Sequence, residues 1–142
     1  MLAYHPKKKG ADRVWAVSCK SWQACFNPAK KVVSGREAWK GFRELTSPKW
    51  SEAFIEAVAQ ATGQSSFTYF TAVTKLVGDV QCWEENPAFS KTMDGNPIKI
   101  LQLREMLTEI YSEIGTTLAG TELGRTLQLF RAAGAAYERI AL

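Results

Sequence analysis

The chain has 142 residues, of which 46% are hydrophobic and 23% charged, and it contains three cysteines and a single histidine. That balance excludes a wholly disordered chain and allows one well-buried core. No apolar run reaches the roughly 18 residues that span a bilayer. The net charge of +4 hides a segregation: residues 1–50 carry eleven Lys and Arg against three acids, while residues 51–142 carry seven against eleven. A basic first third on an acidic remainder points to a polyanionic partner.

Residues 1–10, MLAYHPKKKG, show no helical pattern and read as a flexible basic arm bearing Lys7, Lys8 and Lys9. No apolar stretch follows the lysines as it would in a signal peptide, so a cytoplasmic protein with reduced thiols is expected. From 11 to 142 the spacing predicts a single all-α domain, a bundle of five or six helices that is basic over 11–50 and acidic over 51–142. The helices are expected at 12–26, 35–45 (after a turn at 28–33), 48–62, 66–85, 97–114, and from 117 or 121 to 140. Asn27-Pro28, Ser47-Pro48, Asn86-Pro87 and Asn96-Pro97 each place a capping residue before a proline, and Gly63 and Gly115 sit where helices stop. Residues 86–97 read as the one long loop. The last two helices are expected to form a hairpin, with Leu123, Leu127, Phe130, Gly134, Tyr137 and Ala141 as one seam.

Catalytic chemistry finds little footing. His5 lies in the basic arm with nothing to orient it, whereas nucleophilic catalysis needs a base held by a third group. Glu84 and Glu85 are adjacent and point apart on a helix. No glycine-rich loop followed by Lys-Ser/Thr is present. Cys19 and Cys25 are six apart, which on one helix separates the thiols by about 120°, so with Cys82 and His5 they do not make a zinc site. On the helix expected at 12–26, Val14, Trp15, Cys19, Trp22, Cys25 and Phe26 share a core stripe, with Arg13 and Lys20 on the solvent side. No enzyme, cofactor or metal is therefore expected.

The sharpest binding signal is SGREAWKGFREL, residues 34–45. Ser34 and Glu37 form a capping box, and Arg36, Lys40 and Arg43 then fall within about 60° of one another on the helix. Such a stripe fits a row of phosphates and contacts backbone without reading sequence. Arg13, Lys20, Lys30, Lys31, Lys7, Lys8 and Lys9 extend it. Trp39 and Trp50 are the tryptophans expected to be partly exposed, where an indole stacks on unpaired bases. Two alternatives stand beside this reading. Residues 55–76 have the glycine and serine spacing of a helix-turn-helix, although the would-be reading helix offers Phe67, Tyr69 and Phe70 and only Lys75 as a cation. A helical adaptor that binds only protein would set the same basic face against an acidic partner.

The segments LREMLTEIYSEI (103–114) and LQLFRAAGAAYERI (127–140) resemble the closing helix pair of the small helical subunit of CRISPR effector complexes. The resemblance covers about a third of the chain and assigns no individual site residue. It implies a non-catalytic structural subunit, packed beside copies of itself and other subunits, whose basic face steadies a guide RNA, its target or the displaced DNA strand. No membrane partner is implied.

Overall fold

The computed structural model describes residues 1–20, 25–33, 41–115 and 120–132. It is a mixed α/β protein, not the expected all-α bundle. Two compact units make up the chain, Met1–Leu101 and Gln102–Leu142. The elements in order are β1 (Leu2–Tyr4), a 3-10 turn (Gly10–Arg13), β2 (Val14–Cys19), α1 (Pro28–Val33), α2 (Arg43–Thr46) and α3 (Pro48–Thr62). After them come β3 (Thr68–Val73), α4 (Gln81–Glu84), α5 (Pro87–Thr92), β4 (Ile98–Gln102), α6 (Leu103–Glu113) and α7 (Glu122–Ala132).

The strands form one sheet in the order β1-β2-β3-β4. β1 pairs antiparallel with β2, setting Ala3 opposite Trp15 and Tyr4 opposite Val14. Residues 2–4, expected in a flexible arm, are thus an edge strand, and the Met1 ammonium donates to the Val17 carbonyl at 3.0 Å. β2 pairs parallel with β3, with Ala16 beside Tyr69 and Ser18 beside Thr71. The long connection through α1, α2 and α3 is what a parallel pair requires.

The segment expected as a helix at 12–26 is a strand for a local reason. VWAVSC is rich in β-branched and aromatic residues, which suit a pleated surface. Val14, Ala16 and Val17 are all buried, so the strand has no clean alternation to announce it. Cys19 and Cys25, assigned to a core stripe, are exposed instead. The expected helix at 66–85 gives way to β3, whose TYFTAV sequence is buried along almost its whole length. A helix-turn-helix over 55–76 is excluded with it, because a strand stands where the reading helix would be. The expected loop at 86–97 holds α5, started by the Asn86 side chain accepting the Ala88 N–H at 3.0 Å. The expected helix at 97–114 divides into β4 and α6. The helix at 48–62 is α3, closed by Gly63 in the left-handed conformation at φ 67°.

One face of the sheet carries the core. Val14, Ala16, Phe67, Tyr69, Val73 and Ile98 meet Phe26, Phe42, Leu45, Val58, Trp83, Phe89 and Met93 from the flanking segments. Trp83 is the hub, with the rings of Phe26, Phe42 and Phe89 edge-on at 5.1, 4.8 and 4.9 Å. Its indole N–H donates to the Thr71 hydroxyl at 3.3 Å, so the buried donor is satisfied. The buried Asn96 accepts the Phe67 N–H at 3.0 Å and donates to the Met93 carbonyl at 3.0 Å. It pins the start of β3 to the turn after α5.

A polar knot ties α2 to the sheet. The Glu44 carboxylate accepts the Tyr69 hydroxyl at 2.6 Å, the Ser18 hydroxyl at 3.0 Å and the Lys20 ammonium at 3.4 Å. Burial raises the Glu44 pKa, but these bonds, its own backbone and the Lys20 charge outweigh it and hold the carboxyl below its ordinary value. Burial and the facing carboxylate push the Tyr69 phenol far above its usual range. Glu44 is therefore ionised and Tyr69 a permanent donor across the neutral range.

In the second unit Thr121 starts α7, its hydroxyl accepting the Gly124 N–H at 3.1 Å. Gln128 donates to the Gly115 carbonyl at 2.9 Å, and the Arg131 guanidinium reaches the Ile114 and Tyr111 carbonyls. These are the orphan acceptors at the end of α6, where a cation also opposes the helix dipole. Of the expected seam, Leu127 is buried and Leu123 exposed; the Phe130 side chain and residues 133–142 lie outside the described residues. No described helix is long and apolar enough to cross a membrane.

Candidate nucleic-acid interface

The edge of the sheet formed by β1, the turn after it and the start of β2 gathers cations and aromatic rings. His5 N–H donates to the Arg13 carbonyl at 2.9 Å and continues the β1–β2 ladder. The chain then turns back on itself: Lys8 N–H donates to the His5 carbonyl at 3.3 Å, and the His5 Nδ1 accepts the Lys7 N–H at 3.3 Å. His5 thus shapes a turn through its ring nitrogen and its carbonyl. Lys7, Lys8 and Lys9 stand exposed at the tip. The following Gly10, at φ 60°, lets the chain enter the 3-10 turn. The Ala11 carbonyl accepts the Thr68 hydroxyl at 3.1 Å, which anchors this turn to β3.

Two rings project here. Trp15 remains 36% exposed and Tyr4 50% exposed. The Trp15 indole leans on Phe70 at 4.8 Å between centroids, which fixes its inner side and leaves the rest open. The Lys8 ammonium stands 5.8 Å from the Trp15 ring, and the Arg13 guanidinium 5.0 Å from the Tyr4 ring. Arg13 Nε is buried without a hydrogen-bond partner. Each exposed ring therefore has a cation at its face, an arrangement that holds positive charge beside a stacking surface. By register the two rings leave the sheet on opposite faces, since Tyr4 stands opposite Val14 and Trp15 opposite Ala3.

Of the ten cations singled out from the sequence, the eight that lie among the described residues do not form one surface. Lys7, Lys8, Lys9 and Arg13 come together at this edge. Lys20, expected on a solvent face, is tied inward to Glu44 and to the Gly41 carbonyl, with its ammonium 4.8 Å from the Phe42 ring. It stabilises the α2 attachment instead of offering charge to a ligand. Lys30 is exposed on α1 and Lys31 half-buried there. Arg43 is exposed on α2, 5.7 Å from the Trp50 ring, and Trp50 is 51% exposed. Arg36 and Lys40, two thirds of the expected stripe, lie outside the described residues, as does Trp39.

Sequence reasoning missed Tyr4 and placed Trp15 in the core. The signal for Trp15 was the β-branched and aromatic makeup of VWAVSC, which favours a strand and sends Trp15 to the face opposite Val14 and Ala16. Among the described residues no cluster of three His, Cys, Asp or Glu is placed to hold a metal ion. No family model matches the chain, and no curated protein or solved structure matches it significantly.

Proposed function

We propose that this chain is a non-catalytic nucleic-acid-binding subunit that holds single strands at the β1–β2 edge. Lys7, Lys8, Lys9 and Arg13 supply phosphate contacts, and Trp15 supplies a surface on which an unpaired base stacks. The observation that carries this reading is the pairing of each exposed ring with a cation beside a lysine-tipped turn. Phosphate attraction without base-edge donors gives binding that ignores sequence, and aromatic faces favour strands whose bases are unstacked. Arg43 with Trp50 repeats the combination on the helical layer and is a second contact in the same scheme. The wider setting, an RNA-guided assembly with other subunits and further copies of this chain, is supported only by the resemblance in α6 and α7.

The test is anisotropy of a labelled oligothymidylate and an oligouridylate of about 20 nucleotides across a salt series. Wild type is expected to bind with a linear log–log salt slope. Changing Lys7, Lys8 and Lys9 together to Glu reduces both affinity and slope, by about three phosphate contacts. Absence of binding at low salt, or a slope unchanged in the variant, would reject the edge as the site.

A further inference from the structure

A second surface of the first unit has the opposite chemistry. α2, α3 and α5 enclose an open groove of about 990 Å³. Leu45, Ile55, Ala88 and Phe89 give it an apolar floor. The hydroxyls along it are spent within the protein: Ser51 donates to the Pro48 carbonyl at 2.9 Å and Thr92 to the Leu45 carbonyl at 2.7 Å. The floor thus offers a polar small molecule little to bond. The rim carries Glu52 and Glu56 one helical turn apart on α3, with Asp94 and Lys91 across the groove. Among the described residues lining the groove, Lys91 is the one cation against three carboxylates. Glu52, Glu56 and Asp94 are all exposed.

This local negative charge sits on a unit whose full complement is positive, with fourteen Lys and Arg against nine acids over residues 1–101. A nucleic acid is therefore repelled from the groove, and a cationic ligand is drawn to it specifically. We infer that the groove docks an amphipathic, cationic segment of a protein partner, with apolar anchors on the Ile55–Phe89 floor and Lys or Arg flanks paired to Glu52, Glu56 and Asp94. The form is that of a helix laid in a groove, read by apolar residues at three- and four-residue spacing. Charge on the rim sets partner choice and association rate, and the floor sets residence time. This assignment does not depend on the nucleic-acid reading.

The probe is a labelled synthetic helix of about 15 residues with Leu on one face and Lys on its flanks, beside a twin with Glu in place of Lys. Titrated into the full chain, the Lys peptide is expected to bind and the Glu twin not to. Two variants test the groove separately. Glu52→Lys with Glu56→Lys reverses the rim, and Ala88→Trp fills the floor from an exposed position without changing charge. Each is expected to weaken the Lys peptide at least about tenfold. Thermal melts of the same samples check that the variants are folded; Ala88→Trp is expected to leave oligonucleotide affinity unchanged. Equal binding of the two peptides, undiminished binding in the folded variants, or no binding by wild type would each overturn the assignment.

Discussion

Replacing Tyr69 with Phe removes one oxygen from the centre of the first unit and tests how α2 is held there. The Tyr69 side chain is fully buried, and its hydroxyl makes the shortest of the three bonds to Glu44, at 2.6 Å. A hydrogen bond to an ionised partner is worth about 1.5–3 kcal/mol. Ser18 and Lys20 still reach the carboxylate, which keeps the loss near the middle of that range, about 2 kcal/mol. For a unit of 101 residues this corresponds to a fall in Tm of roughly 10 °C. Thermal unfolding followed by circular dichroism at pH 7 measures it. Glu44→Gln alone and combined with Tyr69→Phe completes a cycle whose coupling is about 1–2 kcal/mol. A fall of less than about 2 °C, or additive single changes, would refute the bond as a clamp on α2.

The same knot sets the response to pH. Because the Glu44 pKa is depressed in the folded chain, its contribution is present above the ordinary value near 4.5 and is lost as pH falls below it. Wild type should therefore lose more stability in acid than Glu44→Gln does, the gap between them being widest near neutral pH and closing as pH falls below about 4.5. Tyr69 acts at the other end: its raised pKa favours the protonated fold, so stability falls as pH rises above about 10. Asn96→Ala leaves the Phe67 N–H without its partner and removes one of the two N–H donors to the Met93 carbonyl, the Asn96 backbone N–H remaining, and should cost about 1–3 kcal/mol in urea unfolding. Thiol titration separates the strand from the helix first expected at 12–26. Exposed Cys19 and Cys25 should react quickly, and Cys82, whose pKa is raised by burial and by Asp79, more slowly.

The helical parts that the sequence made legible are those with punctuation at both ends. Pro48 and Gly63 bracket α3, because a fixed proline φ and a left-handed glycine act locally; Pro28–Val33, expected only as a turn, is the helix α1. The strands were hidden for a physical reason. β2 and β3 are short apolar runs that fit helical spacing as well as they fit a buried strand, and only tertiary pairing decides between them. Pairing also decides the site. Three consecutive lysines announce positive charge anywhere they occur, so that much of the edge was visible. Lys20 looked like one more surface cation because its partner Glu44 stands 24 residues away and on another element. Trp15 looked like core because its exposure depends on β1 lying beside it and Phe70 beneath it.

The edge as a single-strand site is tested most directly by Trp15→Ala, titrated with one oligonucleotide sequence as a single strand and as a duplex. Stacking of one base contributes about 1–3 kcal/mol. The variant should therefore lose roughly five- to 150-fold in single-strand affinity while its weak duplex binding, held by Lys7, Lys8, Lys9 and Arg13, stays unchanged. Equal affinity of wild type for the two forms, with Trp15→Ala indistinguishable from it, would contradict the assignment of this edge to unpaired bases.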